Sequence, residues 1–373
     1  MDRDQAGGFL EELTNRRAYA LCIAIAGISI LKYGLGYVRW DTYRQLAEDP
    51  FATFPLRSNY FQASPLTSVI AYYLGLTAKY PFAFLLLGIL IFAWLIFIWL
   101  SINRLGAKYG LFLVALLFSH PLVVVLQSWI GMPDAVSFLF IVVAIFAKDW
   151  KVLMMVSILG AINHPSMYIS IPAILVLRSV SPGREISYRL TLASFLGLGI
   201  GFLLTRMYLH THGIQLESRA EYILTRGIDF WLQMNFNQLP YLLFSLNGPL
   251  WIAIGGAIIL FFKMDRRFYS IYLAILIASC CVTFFTLDNT RVFGLLTIGA
   301  SIVLFIRSFE LAQANAEAVL NENQIEKLLI GYAVIALVIP NFYSWEGRIQ
   351  VSNFSGFYRG LLARIGRLLT TKG

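Results

Sequence analysis

Residues 81–101 read PFAFLLLGILIFAWLIFIWLS, an uncharged stretch long enough to decide the fold. A helix rises about 1.5 Å per residue, so this segment matches the roughly 30 Å hydrocarbon core of a bilayer. The rest of the chain carries the same signal. Of its 373 residues 58% are hydrophobic and 13% charged, with a mean hydropathy of +0.71, whereas an ordinary globular chain has about 25% charged residues. A soluble fold is excluded, and the sequence predicts an all-α, polytopic transmembrane helix bundle. Apolar runs fall near 18–38, 81–101, 110–130, 135–147, 152–162, 167–178, 190–209, 249–263, 271–287, 292–306 and 328–343, which gives about eleven spans. The runs at 152–162 and 167–178 are too short to cross alone and are expected inside the bundle. Residues 64–79 read as an interfacial or re-entrant helix.

The net charge of +9 does not point to nucleic acid, because so apolar a chain offers no large solvated basic surface. It sets topology instead. The connections at 102–109, 148–151, 178–189 and 263–270 hold ten Lys or Arg, while the alternate turns at 130–134, 163–166 and 287–291 hold only Arg291. The N-terminus is therefore expected in the cytoplasm, with the first span a retained signal anchor and two longer loops, 39–80 and 210–248, facing outward. This describes one transmembrane domain, 1–343, followed by a tail, 344–373, in which Gly360 to Leu369 has the spacing of a cationic amphipathic helix. The tail is rich in Arg, yet an odd number of spans places it outside. Cys22, Cys280 and Cys281 lie in apolar runs without metal-ligand spacing, so neither a disulfide framework nor a zinc site is expected. The chain has no P-loop, no G-x-S-x-G and no H-E-x-x-H.

No carboxylate falls within the spans so drawn, as the cost of a charge in hydrocarbon requires. The polar chemistry collects in four outer clusters: Arg39 to Arg44 with Glu48 and Asp49, Gly131 to Asp134, Asn163 to Ser166, and Asp288 to Arg291. Each has a plain structural reading. Asp41 and Asp134 stand where helix N-caps are expected, Asp288 and Arg291 suit a local ion pair, and His164 suits a turn with a satisfied ring. His120, mid-span before Pro121, reads as a packing hydrogen bond, and His210 with His212 make a weak metal signal. The other reading is that a bundle joining these ends holds two or three carboxylates, an imidazole and a guanidinium at one membrane surface.

The arrangement resembles the GT-C type of integral membrane glycosyltransferase. Asp41 within Asp-Thr-Tyr-Arg-Gln-Leu-Ala is similar to that family's acid just after the first span. Ser58 to Leu66 resembles its aromatic and Pro-Leu approach to the next helix, and Gly131-Met132-Pro133-Asp134 its glycine-to-acid turn. The family's adjacent acid pair is not matched, since Thr42 follows Asp41, and no large soluble outer domain is present. The resemblance implies transfer of a sugar from a polyprenyl-phosphate carrier to an acceptor glycan or glycolipid on the outer face of a membrane, bacterial inner membrane first and endoplasmic reticulum second. On this reading Asp41 and Asp134 are the catalytic acids, with Asp41 the general base. Arg291, His164 and Arg44 bind the donor phosphate, while Asp288, Asp49, Tyr60 and Glu217 contact substrate. No resident metal is assigned, although a divalent cation (Mg or Mn) stays open as cofactor. Membrane lipids are partners and nucleic acid is not. Two other classes stay open: a polysaccharide polymerase or ligase, and a membrane transporter built on broken helices.

Overall fold

The computed structural model describes residues 3–37, 41–52, 59–181, 188–216, 219–314, 342–351 and scattered positions between 327 and 339. Of the described residues about 81% are helical. In order the helices are α1 (Arg3–Tyr33), α2 (Thr42–Glu48), a 3-10 turn (Asn59–Ala63), α3 (Leu66–Tyr73), α4 (Lys79–Phe118), α5 (Pro121–Ser128), α6 (Asp134–Phe146), α7 (Trp150–Asn163), α8 (Met167–Val180) and α9 (Tyr188–Thr211). They continue with α10 (Arg219–Arg226), α11 (Ile228–Phe236), α12 (Leu239–Asn247), α13 (Leu250–Phe261), α14 (Arg266–Phe284) and α15 (Asn289–Ala314). An antiparallel hairpin, β1 (Phe342–Trp345) and β2 (Arg348–Val351), closes the described chain.

Four helices, α4, α9, α14 and α15, are long and apolar enough to cross a membrane, and the pair α12 and α13, bent by 77°, would make a fifth. The helices α6, α7 and α8 are apolar but shorter. The chain is thus a multi-pass membrane protein by its helices; among the described residues four to five are long and apolar enough to cross, against eleven apolar runs in the sequence, of which 328–343 lies partly outside the described residues. The difference is physical. Several runs are half-length helices; α4 is two helices joined at a corner at Gly106 (φ 76°), a backbone state that favours glycine, in the connection expected between two spans. The second of those spans breaks at Ser119-His120-Pro121. Pro121 has no N–H to continue the helix, and His120 Nδ1 accepts the Leu122 N–H as the cap of α5. Its Nε2 has no partner, so His120 is a cap rather than a bridge between helices.

The central post is α15. Its apolar window is 89% buried, against 33–39% for α4, α9 and α14, so lipid-facing walls surround an internal helix. Close approach in the outer wall depends on small residues. A Cβ on Gly197 would stand 2.6 Å from Met154 O, and one on Gly201 2.6 Å from Ile158 O, so α9 lies directly against α7. Arg178, expected in a solvated loop, is buried instead, and its guanidinium caps α6 by donating to Ala144 O and Ala147 O, both at 2.7 Å.

The expected outer clusters gather at one end of the bundle, while Arg104–Glu310 and Arg307–Asp265 pair at the other. The short helices expected in the 210–248 loop are α10, α11 and α12. The chain after the last apolar run also begins at the site end. Lys32 donates to Ala336 O and Ile339 O, tying that run to the end of α1, and the hairpin follows immediately. The boundary expected at 343/344 therefore falls inside a hairpin that the sequence reading did not include. The amphipathic segment 360–369 lies outside the described residues.

Candidate functional site

Two glycines bring the first two clusters together. Gly36 N–H donates to Gln127 O and Ile130 N–H to Gly36 O, both at 2.9 Å, which lays the chain leaving α1 along the turn after α5. A Cβ on Gly36 would stand 2.9 Å from Ser128 O. Gly131 (φ 115°) then turns the chain into α6. The third cluster is pinned by Asn163, wholly buried, whose amide donates to Pro133 O (3.0 Å) and Ser137 Oγ (2.9 Å) and accepts from Thr67 Oγ1 (2.7 Å). The fourth is fixed by Asn289, which donates to Thr283 O and Thr286 O and sets the start of α15.

At the meeting point lies Arg291, 6% exposed. Its Nε donates to Asp134 Oδ2 at 2.6 Å and its Nη2 to Asp134 Oδ1 at 2.8 Å, a two-pronged pair between positions 157 residues apart. Nη1 reaches Asp288 Oδ2 at only 3.4 Å, and Nη2 stands 3.4 Å from His164 Nε2. The local pair expected between Asp288 and Arg291 is thus the weaker one. Asp134 opens α6 but caps nothing with its side chain; its charge sits favourably at a helix N-terminus and is spent on Arg291. The other side of Asp134 borders an apolar crevice lined by Leu86, Leu90, Leu126, Trp129, Ile130 and Met132, and Asp41 is not among its walls.

Two expectations about charge need correction. His164 Nδ1 lies 2.8 Å from Ser166 Oγ, and burial first, then the Arg291 guanidinium, brings its imidazole down to about 4. A ring neutral at pH 7 is not the charged phosphate ligand expected. Arg291 likewise has its fork occupied by Asp134, so it presents no free two-pronged face to a phosphate. Burial pushes the Asp288 carboxyl up to about 7 despite the pull of Arg291, and its Oδ1 has no hydrogen-bond partner.

Asp41 lies beside this cluster rather than in it. It occupies the cap position of α2 but makes no capping bond. It accepts from Tyr37 Oη at 2.7 Å and pairs with Arg44, which also pairs with Glu48. Its side chain is 28% exposed. The link to the buried cluster is Tyr43, the second residue of α2, which interacts electrostatically with Arg291. Asp49 is exposed at the far end of α2, where Arg44 does not reach it. Glu217 and the side chain of Tyr60 lie outside the described residues.

Residues the sequence reading missed are Tyr37 and the hairpin. Tyr37 carried a signal, standing four residues before Asp41. In the hairpin, Ser344 N–H donates to Thr290 Oγ1 (2.8 Å), Ser344 Oγ to Asn289 Oδ1 (3.1 Å), and Glu346 N–H to Leu287 O (2.6 Å). Tyr343 and Trp345 set their rings edge-on to Trp129. The hairpin therefore grips the chain on both sides of Asp288. Among the described residues no group of three His, Cys, Asp or Glu side chains converges as a metal site; with both Asp134 oxygens on Arg291, the cluster does not fit a divalent-cation cage.

No family model matches the chain, and no curated protein matches it.

Proposed function

We propose that the chain is a membrane glycosyltransferase that moves a sugar from a polyprenyl-phosphate carrier to an acceptor hydroxyl at the site end of the bundle. One observation carries the reading: a partly exposed carboxylate, Asp41, held by a tyrosine hydroxyl and an arginine, stands at the start of the short helix whose Tyr43 acts on the buried Asp134–Arg291 pair. An acceptor arriving from water meets Asp41 first. A lipid-borne donor reaches the same end from the bilayer, so no nucleotide site is needed.

In this mechanism Asp41 takes the proton from the acceptor hydroxyl as its oxygen attacks the anomeric carbon. Tyr37 and Arg44 hold the carboxylate in place without burying it, which keeps it reachable. Of the three cations expected at the donor phosphate, Arg44 is the one with partial exposure; with Nε and Nη1 on Asp41 and Glu48, it can meet a phosphate only through Nη2 and not two-pronged. Arg291 positions Asp134 and Asp288. The test is transfer from short-chain polyprenyl-phosphate hexoses and pentoses by purified protein in detergent. Asp41→Asn preserves shape and removes the basic charge, so turnover per folded molecule should fall by about 10²- to 10⁴-fold. Near wild-type turnover would remove Asp41 as the base.

A further inference from the structure

A buried carboxylate oxygen with no partner is rare enough to require a reason, and Asp288 has one at the centre of the site. Asp288 is 6% exposed and its Oδ1 is unpartnered. The charges around it are already balanced: Arg291 is neutralised two-pronged by Asp134, and His164 contributes none. A second carboxylate anion would add an uncompensated charge where water is scarce, a cost a buried acid escapes by keeping its proton. Oδ2 is the oxygen turned to Arg291 Nη1, so the proton belongs on Oδ1, where it has nothing to bond to.

We propose that Asp288 is the general acid of the transfer, its Oδ1–H protonating the phosphate oxygen that leaves the sugar. The inference rests on the glycosyl-transfer reading and assigns the half of the proton traffic that Asp41 leaves open. The acceptor oxygen forms its bond to the anomeric carbon and its proton passes to Asp41. The bond from that carbon to the donor's phosphate oxygen breaks, the electron pair stays on the oxygen, and the oxygen takes the Asp288 proton. Asp41 then releases a proton to water and Asp288 recovers one, so one proton moves from acceptor to phosphate per turnover. Two carboxyl groups in unlike surroundings, one accessible and one buried, thus divide base and acid between them. Burial, which holds the Asp288 carboxyl up near 7, fits the acid role at neutral pH. The charged groups acting on it are Arg291 and Asp134; His164 and Tyr43 bear on the same guanidinium, and Glu346 N–H bonds the neighbouring Leu287 O.

The test has one arm that needs no activity. Infrared difference spectra of the full chain should show a protonated-carboxyl stretch at pH 6 that fades above pH 8 and is missing in Asp288→Asn. Absence of that band in the wild type overturns the proposal whether or not the protein transfers sugar. In the second arm, kcat against pH with polyprenyl-phosphate sugars should fall on the alkaline side with an apparent pKa near 7. Asp288→Asn should lose that limb and about 10²-fold in kcat, with KM for the acceptor unchanged. A variant that turns over at the wild-type rate, or keeps the limb, refutes the acid role and leaves Asp41 and the transfer reading standing. If the band is present but the wild type transfers from no carrier while Asp41→Asn behaves identically, the transfer reading falls and the acid role with it.

Discussion

Arg291 is the residue on which the site end depends. Taking a guanidinium and a carboxylate out of water costs several kcal/mol for each ion, and the Asp134 pair offsets that only because both prongs are made. Removing one partner strands the other, so Arg291→Ala should destabilise by about 3–5 kcal/mol, and so should Asp134→Ala. The double variant leaves only Asp288 beside a neutral pocket and should cost clearly less than the sum of the two, a coupling measurable by denaturant or thermal unfolding in detergent. Additive losses would show that the pair is not the unit of stability here. That Asp134, His164, Asp288 and Arg291 stand out was legible in the sequence, because each is a polar residue in a turn of a few residues between apolar runs, and the structure brings them together. Their pairing was not. Asp288 and Arg291 are three residues apart and look like partners, while nothing local announces Asp134, 157 positions earlier, as the closer one. The neutral state of His164 was equally hidden, since burial and a nearby cation are properties of the assembled site.

At the scale of elements, apolar length located the helices well, and α6, α7, α8, α13 and α15 all fall on expected runs. Length could not say which of them cross. Crossing needs an unbroken rod, and the break at Ser119-His120-Pro121 turns the nominal span 110–130 into two half-helices. Contact between elements is set by smaller features that hydropathy ignores. Gly197 and Gly201 are spaced one turn apart on the face of α9 that meets α7, and Ser157 and Ser194 share a 3.0 Å hydrogen bond in the same seam. Gly201→Leu would drive a side chain into the Ile158 carbonyl and the Ala161 methyl, so α9 must move away from α7. The expected result is a loss of folded, monodisperse protein and a lower Tm. Gly199→Leu, whose Cβ would meet nothing within 4 Å, should be close to neutral. Equal behaviour of the two variants would mean that the seam does not hold α9.

At the scale of the whole molecule, the four polar clusters, three of them acid-bearing, lie at one end and the Arg104 and Arg307 ion pairs at the other. The hairpin strengthens this polarity. Its strands of four residues are too short to announce themselves beside a long apolar run, and Phe342 to Trp345 reads in sequence as the fringe of a span. Placed by Lys32 at the site end, the hairpin puts the start of the tail on the same surface as Asp288. The two ends differ in charge, and the positive-inside rule predicts that the end with the ten-to-one excess of Lys and Arg in its loops faces the cytoplasm. Glu346 is exposed at the hairpin turn and Arg266 is exposed at the opposite end. A cysteine introduced at Glu346 should react with a membrane-impermeant maleimide added to intact cells, while one at Arg266 should react only after permeabilisation. A cysteine-free background removes Cys22, Cys280 and Cys281 from the readout. The reverse pattern would place Asp41, Asp288 and the hairpin in the cytoplasm, where a soluble nucleotide sugar is at hand, and would remove the reason for a lipid-linked donor.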